Sequence, residues 1–150
     1  MGYDFWRKWL FGFGLAFTFF GILLAFFNQT PLFDFLFNNQ VNPVFWSSFP
    51  LEEPLHDFQA WIYGVLGATC AGWGIFIAFL AVYPLAQREQ WAIKCIFIGI
   101  TLWFVIDTSI SLIFHVIFNA LFNVLLLMLI IVPLLMMRKE LQLSEKSRHI

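Results

Sequence analysis

Charge is what this sequence has least of. Only 11% of its 150 residues are Asp, Glu, Lys or Arg, against about 25% in an average soluble protein. A disordered chain needs abundant charge and low hydrophobicity, so the scarcity excludes one. Cysteine is scarce too. Cys70 and Cys95 stand 25 residues apart in apolar runs, with no CxxC pair and no zinc-ligand spacing, and they read as small buried hydrophobes. The net charge is −1, so no field of one sign points to nucleic acid or another polyanion. Apolar residues take up the difference. They make up 61% of the chain, and 21 residues are Phe. Mean hydropathy is +0.84. A soluble domain of this size has too little interior to hide so much apolar surface. The natural solvent for the chain is lipid, and residues 1–150 have room for one membrane domain.

The first run without a charge is 9–27, which has 19 residues and reaches ~28 Å as a helix, about the bilayer core. A cleaved signal peptide would have a shorter apolar region closing on small residues. This run ends Ala25-Phe26-Phe27-Asn28, and a retained helix is expected. The second run is 58–82, followed by Pro84, which cannot continue a helix interior. The third stretch, 91–137, has 47 residues. As one helix it would measure ~70 Å, more than twice a bilayer core, so it must fold back on itself. Neither Gly nor Pro marks the turn, which is placed near 114–117 to give spans 91–113 and 118–137. Pro133 is expected to kink the last span and to free the carbonyl of Leu129. The predicted fold is all-α: a polytopic four-transmembrane-helix bundle with an outer loop 28–57 and a tail 138–150.

The eight cations set an orientation. Arg7 and Lys8 precede the first span, Arg88 and Lys94 flank the connection of spans two and three, and Arg138, Lys139, Lys146 and Arg148 follow the fourth. The outer loop has no cation and carries Asp34, Glu52, Glu53 and Asp57. By the positive-inside rule both termini are cytoplasmic. Lys94, inside the start of span three, is expected to snorkel to the headgroups. The tail reads as a topology determinant near anionic lipid, with a frayed helix end.

The outer loop is not simply hydrophilic. Residues 31–37 are strongly apolar, Phe45, Trp46 and Phe49 follow, and Pro31, Pro43, Pro50 and Pro54 divide it. A short helix over 31–38 is predicted at the outer interface, either as an anchor dipping aromatics toward the acyl boundary or as a lid over a cavity. In span two, Gly64, Ala68 and Gly72 recur at four-residue spacing with Gly67 and Ala71 beside them, and Gly12 and Ala16 form a shorter version in span one. Small residues at this spacing let helices approach closely in lipid. Span two is therefore expected to be the most buried helix.

Asp107 lies well inside span three, and an ionisable residue at membrane depth is costly enough to suggest function. Folding the hairpin about His115 places Asp107 opposite Asn123 and Ser111 opposite Asn119, each pair on matching helix faces. With Thr108 they form a predicted polar ladder. One reading makes the ladder a structural lock. The other lets Asp107 face a wet cavity and bind a polar head or cation, or carry a proton. His56 stands at the outer start of span two and His115 at the turn. A metal or haem site built on them is conceivable, but no compact ligand motif supports it, so no metal or cofactor is assigned.

The motifs Gly67-Ala-Thr-Cys-Ala-Gly-Trp73, Glu89-Gln-Trp-Ala92, Trp103-Phe-Val-Ile-Asp-Thr108, Asn119-Ala-Leu-Phe-Asn123 and Pro133-Leu134 resemble those of small four-helix bacterial membrane proteins. The resemblance spans about half the chain. It implies an inner-membrane setting and no activity. His115 departs from it, because a small residue would suit that turn better. With no catalytic constellation, the leading expectation is a small non-enzymatic membrane protein that binds a lipid-like molecule or a membrane-protein partner. Its surroundings are membrane lipids, with no nucleic acid, and a homo-oligomer is compatible. The alternatives are a transporter-like homodimer using Asp107 and a membrane enzyme of lipid or quinone chemistry.

Overall fold

The computed structural model describes residues 2–46 and 51–148. Phe49 and Pro50 of the loop and His149 of the tail lie outside the described residues. Inside lipid every backbone N–H and C=O must be bonded within the chain, so each apolar run becomes a helix. The long ones are α1 (Tyr3–Phe27), α4 (Glu53–Val82), α5 (Gln90–Ile113) and α6 (Ile117–Arg148). All four are long and apolar enough to cross a membrane, the architecture of a multi-pass membrane protein. Among the described residues there is no strand.

The first loop is helical along most of its length. It runs as α2 (Pro31–Phe33), a π-helical turn (Asp34–Asn38) and α3 (Asn39–Phe45), so the helix predicted over 31–38 extends seven residues further. The tail is also a correction. It does not fray after Met137 but continues as α6 to Arg148, because Leu141 is still buried in the core. α6 runs through Pro133 as one helix. The carbonyl that the proline leaves free is satisfied from outside: the Trp9 indole N–H donates to the Leu129 oxygen at 3.0 Å.

The two tight turns share one solution. Val116 N–H donates to the Ser111 carbonyl (2.8 Å) and His115 N–H to that of Leu112 (3.1 Å). Glu89 N–H donates to Pro84 (2.9 Å) and Arg88 N–H to Leu85 (3.1 Å). These are Schellman motifs, whose left-handed position is usually glycine. Here His115 and Arg88 occupy it, each with φ 60°. Arg88 is held there by stacking over the Tyr3 ring at 5.2 Å, and the Tyr3 hydroxyl donates to the Leu85 carbonyl at 2.8 Å.

The small-residue prediction located the right helix and, in Gly67 and Ala71, two of its packing positions, but the four-residue stripe Gly64, Ala68, Gly72 is not the packed face. Gly14 and Thr18 of α1 interlock with Gly74 and Ala78 of α4, and Gly21 and Ala25 interlock with Gly67 and Ala71. A Cβ on Gly14 would lie 2.7 Å from the Gly74 oxygen, so backbone meets backbone. Thr18 Oγ1 also lies within hydrogen-bonding distance of the Ala71 carbonyl, at 3.3 Å. The interlocking positions recur at alternating steps of four and three residues, which follow a helix face, whereas steps of four alone drift off it. Ala68 and Gly72 are accordingly exposed, as are Gly12 and Ala16, and Gly64 meets only the Ala25 oxygen at 3.7 Å.

The helices lie in the order α4, α1, α6, α5. α1 packs along α4 and on α6, and α6 packs on α5, whereas α4 and α5 are not packed along their length although one turn joins them. This overturns the expectation that span two is the most buried. In the most apolar window of α6 39% of residues are buried, against 28% in α4. The hydrophobic core gathers at the end near both termini, around Leu10, Leu85, Ile93, Leu134 and Met137. Toward the loop end the bundle opens.

Candidate functional site: an intramembrane cavity with an aspartate at its edge

The gap between α4 and α5 is a cavity of about 490 Å³. Ile77, Ile100 and Ile130 form its floor and join it to the core. Phe13, Phe17 and Phe20 of α1 form the back wall. Tyr63, Cys70 and Trp73 line it from α4, and Trp103, Asp107 and Ser111 from α5. Leu66 and Ile110 also line it yet are 47% and 51% exposed, so the side between α4 and α5 is open.

The roof is the loop helix. Phe33, Phe37, Val41 and Phe45 recur every four residues, and the last three line the cavity. The Phe37 ring stands edge-on to Phe118 (5.7 Å) and Phe122 (5.6 Å) and lies 5.9 Å from Phe20. Phe33 is buried, while Leu32, Phe35 and Leu36 on the other side are exposed. The segment is therefore apolar on both faces, one turned into the bundle and one outward. Two polar ties hold it. Asn42, 2% exposed, exchanges side-chain amide bonds with Gln59 of α4, and Asn38 Nδ2, which donates to Asp34 Oδ1 within the segment at 2.7 Å, reaches the Asn28 carbonyl at the end of α1 at 3.5 Å. Asn28 ends α1 by donating to the Leu24 carbonyl at 2.9 Å and reaches that of Ala60 at 3.3 Å.

The polar ladder of the α5–α6 hairpin is formed with both expected pairs, Asn123 on Asp107 and Asn119 on Ser111, and with one bond more. Both amides converge on one atom: Asn119 Nδ2 and Asn123 Nδ2 each donate to Asp107 Oδ1 at 2.7 Å. Asn119 Nδ2 also lies 2.8 Å from Ser111 Oγ, and Asn123 Nδ2 lies 3.3 Å from Thr108 Oγ1. Ser111 Oγ sits 2.8 Å from the Asp107 carbonyl and 3.2 Å from Oδ1. The convergence follows from helix geometry, since Asn119 and Asn123 stack one turn apart and both reach the same carboxylate. Among the described residues no donor reaches Asp107 Oδ2. Asp107 as a whole is half-buried. Asp107, Ser111, Asn119 and Asn123 all line the cavity.

The histidines stand apart from this site. His56 Nδ1 lies 3.4 Å from Gln29 Nε2, His115 occupies the left-handed turn position, and neither lines the cavity. Among the described residues no three His, Cys, Asp or Glu side chains are grouped to hold a metal ion. The sequence reading missed the roof residues Val41 and Asn42 and their α4 partner Gln59, and it took Cys70 for a plain core thiol. Phe33, Phe37, Val41 and Phe45 keep to one side at four-residue steps because the π-helical turn Asp34–Asn38 lengthens the local period. No family model matches the chain, and neither a curated protein nor a solved structure matches it.

Proposed function

We propose that this is a non-enzymatic membrane protein that holds one lipid-like, amphipathic molecule in the cavity between α4 and α5. The observation that carries this reading is an apolar cavity of about 490 Å³ with a single polar edge, reached sideways where two consecutive helices are not packed. Ligand sites of ~300–1,000 Å³ with mostly apolar walls and a few convergent polar groups bind molecules of drug-like size. A lateral opening suits a ligand that arrives from the bilayer. Among the described residues Asp107 is the one carboxylate lining the cavity, and no histidine lines it. The remaining outer faces of α4 and α5 meet membrane lipids. Both termini are placed on the cytoplasmic side, a reading supported by the distribution of cations.

Native mass spectrometry from mild detergent tests the reading. The full chain is expected to carry a bound amphiphile, and Cys70→Phe, which puts a ring into the cavity, to lose it while melting at a similar temperature. A bare wild-type chain under gentle conditions, or a Cys70→Phe chain that keeps its ligand, would overturn it.

A further inference from the structure

We infer that the molecule held in the cavity is a lipophilic ammonium ion, with an N–H of its head on Asp107 Oδ2 and its apolar body between the aromatic walls. The inference rests on the cavity-binding reading and adds the chemistry of the head. Three features of the site carry it.

The first is charge. Asp107 Oδ1 is satisfied by two neutral amides and a hydroxyl, and among the described residues no Lys, Arg or His lines the cavity. A carboxylate at membrane depth with no cationic partner is expensive, and the structure supplies none. The second is hydrogen-bond polarity. The amide N–H groups of Asn119 and Asn123 are spent on Asp107, Ser111 and Thr108. The edge therefore offers an incoming head an acceptor, Oδ2, and few donors. A phosphate or carboxylate head would meet like charge there, where the Asn119 and Asn123 amides are already engaged. The third is the wall. Phe17, Phe20, Trp73, Trp103 and Phe122 surround the space next to this edge, and aromatic faces stabilise organic cations. The cavity falls in the range for one drug-sized molecule, which points to a single-tailed or aromatic amine.

The test uses the full chain in nanodiscs of phosphatidylcholine, which avoids anionic lipid that would concentrate cations. Three probes share one apolar body: octylamine, octanol and octanoate. Isothermal titration calorimetry at neutral pH reads their affinities after correction for partitioning into empty nanodiscs. Octylamine is expected to bind at least ~10-fold more tightly than octanol, as a charge-assisted hydrogen bond warrants, and octanoate to bind most weakly. Asp107→Asn should remove the preference, so that octylamine binds the variant no more tightly than octanol does. Because Asp107→Asn can loosen the hairpin, the wild-type ranking is a separate arm that needs no variant. Octanol or octanoate binding as tightly as octylamine would overturn the ammonium inference and leave the cavity reading standing. So would an Asp107→Asn chain that is folded and keeps the full octylamine preference. Failure of all three probes to bind would overturn both.

Discussion

Trp9 and Pro133 act as one unit although they stand on different helices. A proline inside a helix has no N–H for the carbonyl four residues back. In lipid that carbonyl must find another donor, and here the Trp9 indole supplies it. Trp9→Phe is expected to lower stability by about 1 kcal/mol, the usual worth of such a bond. In a Pro133→Ala background the alanine N–H restores the helix's own bond to Leu129, and the same Trp9 change should cost much less. A double-mutant cycle read by thermal unfolding in detergent checks this, and equal losses in both backgrounds would refute the pairing. The sequence disclosed the orphan carbonyl of Leu129, because a proline's effect is local. It did not disclose Trp9, because that partner comes from 120 residues away. Asp107 was legible for the same reason as the proline: an acid in an apolar run stands out in the sequence alone.

At the scale of elements, the α1–α4 pair is held by backbone contact. Gly21 meets Ala71 and Gly67, and Gly67 meets Gly21 and Ala25, so neither position has room for a side chain. Gly21→Leu or Gly67→Leu should force the pair apart and destabilise the protein by about 3 kcal/mol, the upper part of the range for overpacking. Gly72→Leu should be nearly neutral, since a Cβ there meets nothing within 4 Å. Thermal melts of the three variants decide the matter, and a Gly72→Leu chain as damaged as Gly21→Leu would show the wrong face has been assigned. The sequence showed small residues in the second span but not the face they use. Five of them crowd within nine positions (64, 67, 68, 71 and 72), and only the partner helix selects among them.

At the scale of the whole molecule, the unequal packing gives the protein a closed end and an open one. The core near the termini ties α1, α4, α5 and α6 together, and the cavity takes up the loop half under a roof of Phe37, Val41 and Phe45. The orientation proposed from the distribution of cations is tested by site-specific labelling. In a chain with Cys70 and Cys95 changed to Ala, a cysteine at Gln40 is expected to react with a membrane-impermeant maleimide on intact cells. Cysteines at Gln87 and Lys146 should react only after permeabilisation. The opposite pattern would invert the topology.

The count of spans, the turn near His115 and the presence of an intramembrane acid are properties of the sequence by itself. Each depends on local composition: an apolar run must be helical in lipid, a run twice the bilayer thickness must fold back, and a charge in such a run is conspicuous. The cavity, its roof and the free oxygen of Asp107 were decided only by tertiary structure. They depend on which helices pack and which do not, and α4 and α5 stand apart because their neighbours, α1 and α6, pack against each other. Packing between helices in lipid is settled by interlocking shape across partners far apart in sequence, which hydropathy does not record.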